Sequence, residues 1–202
     1  PASGIAWDYA NQYLAGGVNS GSGWADWEPN AMFALNHALG AEPSGYIPVF
    51  PYYHILHSVG SCEGCDENRE DLLNLNNLAV MSAYFEDFKL LMKRLGPQAW
   101  NGVQGFGGTA IVHIEPDLAG YAQQAVLDSD LCFGQCTGEG NDPSYLKAAV
   151  ASSGLPELEG LPDTFQGFHM YGDMRPDYWR LLEGLPDTFQ GFHWALLRIR
   201  DL

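Results

Sequence analysis

Residues 111–121 read IVHIEPDLAGY, an apolar run that closes on two carboxylates separated by one proline. Side chains alternate between faces along a strand. The run therefore predicts a strand over about 110–115, with Ile111, His113, Glu115 and Asp117 on one face. Ala110, Val112 and Ile114 turn the other way, toward covering helices. Pro116 gives up a backbone donor where the strand leaves its sheet. Carboxylates two residues apart on a strand have Cα atoms about 6–7 Å apart. At that spacing their ionisations couple, and the less solvated group is pushed toward a neutral, proton-donating state. Acid-assisted glycoside cleavage needs such a group beside a second carboxylate or an activated water. Asp117 and Glu115 are therefore the candidate catalytic residues.

Working outward, QYLAGGVNSGSGWADW predicts a first strand near Tyr13–Val18 that opens into a Gly-rich loop. Asn30 is placed to cap a helix over about 31–39, stopped by Gly40. The run YIPVFPYYHIL predicts a second strand, shortened or bulged because Pro48 and Pro51 each remove a ladder donor. Leu78, Met81, Phe85, Phe88, Met92 and Leu95 recur in steps of three and four, so one long helix is expected from Asp71 to Gly96-Pro97. Asp142-Pro143 starts a further helix through DPSYLKAAVASS. Strands alternating with helices argue for parallel βα units. The expected fold is α/β and (β/α) barrel-like, an incomplete or distorted TIM barrel, forming a single domain over residues 1–202. LEGLPDTFQGFH occurs at 158–169 and again, letter for letter, at 182–193, an internal duplication too short to build a solenoid.

The chain carries 25 acids against nine Lys and Arg, a formal charge of −16. Such a surface repels phosphates, so neither nucleic acid nor an anionic membrane is an expected partner. A neutral polysaccharide or oligosaccharide meets no such penalty. No stretch approaches the roughly 18 apolar residues of a membrane span, and the first residues lack the pattern of a secretory signal. Four cysteines form two tight pairs, Cys62 with Cys65 and Cys132 with Cys136, read as disulfide candidates in a secreted, extracellular bacterial protein. No cofactor and no catalytic metal are expected; structural calcium in the acidic loops, or zinc at the cysteines, is the alternative. A homodimer would cover strand edges left open by a short barrel.

Trp24, Asp26 and Trp27 lie just past the first strand, where indole faces and a carboxylate can meet a sugar. Tyr53, at the end of the second strand, His113 and Tyr121 complete the candidate substrate-binding set.

IVHIEPDLAG resembles the signature of family 6 glycoside hydrolases, the cellobiohydrolases and endoglucanases, in which an apolar strand ends in Glu-Pro-Asp. The resemblance implies that Asp117 is the general acid of an inverting reaction and Glu115 its supporting carboxylate. His113 stands where that family keeps an apolar residue, and no Asp–Arg pair follows Tyr52 and Tyr53. The chain is also similar to uncharacterised bacterial glycosidase-like barrel proteins carrying QYLAGGVN and EPDL segments. These readings lead to an expected secreted, cellulase-like hydrolase of β-linked glucans. The alternative is a non-catalytic carbohydrate-binding or scaffold protein on a degenerate barrel.

Overall fold

The computed structural model of the protein describes residues 8–60, 62, 65–127, 146–161 and 163. Its centre is a small parallel sheet. Strands β1 (Tyr9–Asn11) and β2 (Leu14–Ala15) pair with one edge of β3 (Ile47–Tyr53) in a single register, Tyr9 opposite Ile47 and Leu14 opposite Tyr52. They are one strand with a break. The break has a chemical cause. Ile47 N–H donates to the Asp8 carbonyl and Gln12 N–H to the Val49 carbonyl, a rhythm that sets the Pro51 nitrogen opposite the Gln12 carbonyl. Proline has no hydrogen to give there. Pro48 faces the other edge, one position before β6 (Ile111–Ile114) begins its pairing at Val49–Ile111. The expectation that both prolines would shorten or bulge β3 is therefore corrected. The strand runs seven residues, and the neighbouring strand absorbs the missing bond.

Helix α1 (Trp24–Trp27) and α2 (Met32–Ala41) connect the first strand to β3. The path into α2 differs from the sequence reading. Asn30 makes no capping bond; Asn30 and Ala31 both take left-handed conformations, with φ of 59° and 53°. The Asn30 carbonyl is held by the buried Arg94 guanidinium, Nε donating at 3.0 Å, which lies 4.8 Å over the Trp100 ring. Gly40 does not stop the helix, which continues into a 3₁₀ turn, Glu42–Ser44, and ends at Gly45 with φ 78°.

Between β3 and β6 the expected single helix is two. Helix α3 (Glu67–Leu75) and α4 (Leu78–Leu95) part at Asn76-Asn77, and the Asn77 side chain accepts from Ala79 N–H at 3.0 Å and Val80 N–H at 3.3 Å. The buried stripe of α4 is correspondingly rotated. Val80, Met81, Tyr84, Phe85, Phe88, Leu91 and Leu95 are buried, whereas Leu78 is 56% exposed. A hairpin of β4 (Ala99–Trp100) and β5 (Val103–Gln104) follows. Asn101 and Gly102 supply its two positive φ angles, 49° and 75°, the Asn-Gly preference of a tight hairpin turn. Helix α5 (Leu118–Leu127) leaves directly from the Glu-Pro-Asp segment. Residues 146–153 are irregular with a 3₁₀ turn at Ala151–Ser153, not the helix expected after Asp142-Pro143; residues 142–145 lie outside the described ones.

The core lies on one face of the sheet. Leu14, Phe50, Tyr52 and Ile114 pack there with Trp24, Ala38, Met81 and Phe88. The fold is mixed α/β with a small parallel sheet, and the described residues do not close a barrel. Among them no helix is long and apolar enough to cross a membrane. Cys62 and Cys65 are disulfide-bonded, with Cα atoms 5.7 Å apart. Cys132, Cys136 and most of the duplicated segments lie outside the described residues.

The loop after β2 docks on the turn after β3. Asn19 and Val59 exchange two hydrogen bonds of 2.8 Å, and Val18 N–H donates to Ser58 Oγ at 3.2 Å. Gly17, at φ 80°, has no room for a side chain: a Cβ there would come within 2.0 Å of the His57 carbonyl oxygen. Gly17→Ala is expected to lower unfolding stability by more than about 1 kcal/mol, read from urea midpoints at unchanged slope.

Candidate active site

The C-terminal edge of the sheet gathers acids and phenols from separate elements. Tyr53 ends β3, Glu67 and Asp71 lie one turn apart on α3, and Glu115 follows β6. Asp117 and Tyr121 stand at the start of α5. Glu67 accepts hydrogen bonds from the Tyr53 and Tyr121 hydroxyls, tying α3 to both β3 and α5. Burial, reinforced by the Glu67 bond, pushes the Tyr53 hydroxyl far up and the Tyr121 hydroxyl up to about 12.

Glu115 does not follow its strand. The ladder continues through its N–H, which donates to the Tyr52 carbonyl at 2.7 Å, but its φ is +40°. That left-handed turn swings the side chain out of the alternation with Ile111 and His113, which are exposed. Glu115 is 2% exposed, and its Oε1 accepts from His54 N–H at 2.9 Å and Ile55 N–H at 3.3 Å. The Tyr84 hydroxyl of α4 lies against the same carboxyl and favours its ionised form. The sequence expectation that Glu115 and Asp117 share the face of His113 is thus corrected by one backbone angle. Burial raises the Glu115 carboxyl to about 8 against the pull of these donors.

Asp71 was not singled out in the sequence. It is 1% exposed, and its Oδ1 has no hydrogen-bond partner among the described residues. Burial, then the charges of Glu115, Glu67, Glu70 and Asp117, raise it to about 9. At neutral pH Asp71 and Glu115 are both proton-bearing acids. Asp117 is exposed at the rim. The signal for Asp71 was its position four residues after Glu67, which puts both on one helical face.

The other candidates are dispersed. Trp24 is fully buried, donating from Nε1 to Asp87 Oδ1 at 2.7 Å. Tyr52 donates to the same oxygen at 2.5 Å. Trp24 is therefore a core residue, corrected from a sugar platform. Trp27 is 43% exposed, packs edge-on to Phe33 and donates to the Ser22 carbonyl at 2.8 Å. Asp26 is exposed beside it. His54 is fully buried with neither ring nitrogen hydrogen-bonded among the described residues, and burial lowers it to about 3. Among the described residues no three His, Cys, Asp or Glu side chains are placed to hold a metal. Comparison with family models, curated proteins and solved structures finds no match to this chain.

Two acids raised on folding give stability a definite pH dependence. The folded protein holds protons on Asp71 and Glu115 that the unfolded chain releases above about pH 4. Their contribution is complete below that pH and is lost as pH rises through about 8 to 9. The thermal midpoint should therefore fall between pH 5 and pH 9, and Asp71→Asn should flatten that fall. Glu115→Ala, which orphans the His54 and Ile55 N–H groups, should destabilise by about 2–4 kcal/mol. Glu115→Gln keeps an acceptor in place and should cost less by the same denaturation assay.

Proposed function

We propose that the protein is a carbohydrate-active hydrolase that cleaves a β-linked glucan or a related neutral polysaccharide by acid-assisted glycosidic hydrolysis. The observation that carries this reading is the convergence of Glu67, Asp71, Glu115 and Asp117 with Tyr53 and Tyr121, where burial keeps protons on Asp71 and Glu115. Asp117, the exposed member, meets the glycosidic oxygen, in the role that the family 6 resemblance gives it. Asp71 lies behind it as a positioning residue that holds a proton to resupply Asp117. Glu67, steadied by the two phenols, accepts the proton of the attacking water. The bond from the anomeric carbon to the leaving oxygen breaks, that oxygen takes the acid's proton, and hydroxide from water completes the new hemiacetal. Attack from the opposite side gives inversion. Parallel strands in chain order, joined by helices, support a (β/α) barrel-like frame with this group at its mouth. The Cys62–Cys65 disulfide supports an extracellular setting.

A binding module without turnover is the second reading. It is favoured by Glu115, whose carboxyl is engaged by two backbone donors in the manner of a structural tie.

Turnover of soluble β-glucans and cello-oligosaccharides, measured with binding in parallel, separates the two. Asp117→Asn should lower kcat by about 10²–10⁴-fold with binding retained. Asp71→Asn should cost less and remove the fall in rate between pH 8 and pH 9. Binding without cleavage by the unmodified protein would leave the module.

A further inference from the structure

Among the described residues the parallel sheet is packed by helices on one face; on the other, Pro51 at the centre is buried and Val49 half-buried, while the flanking strands are exposed. Leu14 and Tyr52, paired in register, are both fully buried and mark the core face. Tyr9, Asn11 and Tyr13 point the opposite way, together with Val49, Ile111 and His113 of the neighbouring strands. Tyr9 is 55%, Tyr13 53% and Ile111 41% exposed, and Asn11 and His113 are also exposed. Parallel sheets are ordinarily covered on both faces, so this face calls for an occupant.

Two magnitudes choose it. Seven residues of strand across a three-strand width make a face of about 23 by 14 Å, roughly 330 Å². A stable protein interface needs about 800 Å² per partner, so a second copy of the chain is too large a claim for it. The six residues named carry no Asp, Glu, Lys or Arg, in a protein of formal charge −16. A neutral ligand is matched to that. Tyrosine rings offer flat apolar surface with a polar tip, while Asn11 and His113 can bond to hydroxyls. The same face of β3 ends, by alternation, in Tyr53, whose hydroxyl donates to Glu67.

We propose that this open sheet face is the track on which an extended neutral polysaccharide lies as it feeds the acid cluster. The inference rests on the hydrolase reading for its direction, but its binding step can be tested alone. The unmodified protein, the double variant Tyr9→Ala/Tyr13→Ala and His113→Ala are compared with Leu39→Ala, an exposed apolar control on α2. Affinity for a soluble β-glucan polymer is read by affinity electrophoresis, turnover on an aryl β-glucoside too short to span the face, and mass by light scattering. Polymer affinity should fall about tenfold in the double variant and several-fold in His113→Ala. Aryl-glucoside turnover in the tyrosine double variant, folding of both variants by circular dichroism and the control should be unchanged. Unaltered polymer affinity in both variants would overturn the track and leave the hydrolase reading standing. Loss of affinity in a protein that cleaves nothing would keep the track and remove the hydrolase. No glycan binding by the unmodified protein, or a dimer that the tyrosine substitutions dissociate, would overturn the track outright.

Discussion

The carboxyl of Glu115 under the turn after β3 is the contact on which the rest of the arrangement depends. A non-glycine residue at φ +40° carries a backbone cost of about 1–3 kcal/mol. It persists because the side chain satisfies the N–H groups of His54 and Ile55 as the chain leaves the sheet. Two strand ends are thereby pinned to one another. The pinned turn supports the rest in sequence: Ser58 Oγ donates to the His54 carbonyl at 2.8 Å and receives Val18 N–H, and Asn74 Nδ2 donates to the Ile55 carbonyl at 3.0 Å. The last contact brings in α3, and with it Glu67 and Asp71. Position of the acids and integrity of the sheet edge thus share one residue.

Polar groups are used here in two distinct ways. Asp87, fed by Trp24 and Tyr52, is a closed network with its donors in place; burial raises it only to about 6 because those bonds oppose the rise. Asp71 shows no such offset, and its Oδ1 lacks a hydrogen-bond partner among the described residues. A satisfied buried acid holds structure together, whereas an unsatisfied one is costly unless it keeps its proton. That contrast, rather than the count of acids, separates the acid-bearing end of the sheet from its structural middle.

Much of the architecture could be read from residue pattern. Three strand regions and the apolar stripe from Met81 to Leu95 are periodic signals, and periodicity reports which face is buried. Several of the failures come from single residues acting on the backbone, the others from side chains buried by distant parts of the chain. Asn77 competes for the N–H groups of the next turn and divides a helix whose hydrophobic pattern gives no warning. Asn101-Gly102 is a hairpin signal, but its flanking strands, two residues each, are too short to show alternation. Glu115 could not be foreseen to rotate, because its conformation is held by donors some sixty positions away in the chain. Asp71 was invisible for a related reason: burial among distant acids is a property of the assembled sheet edge. Trp24 was misread because an indole in a glycine-rich loop carries no mark of which side of the sheet it will enter.

The division at Asn76-Asn77 has an evolutionary consequence. Helix α4 contributes eight buried residues, including six large hydrophobic side chains in the principal cluster, and so answers to packing. Helix α3 has nine residues and carries Glu67 and Asp71, while lending Leu72 and Leu75 to the same cluster. Each helix has its own N-cap, Asp66 for α3 and Asn77 for α4. Substitutions on the exposed side of the acid-bearing helix can therefore accumulate without re-winding the longer hydrophobic one, whose helical hydrogen bonding restarts at Asn77.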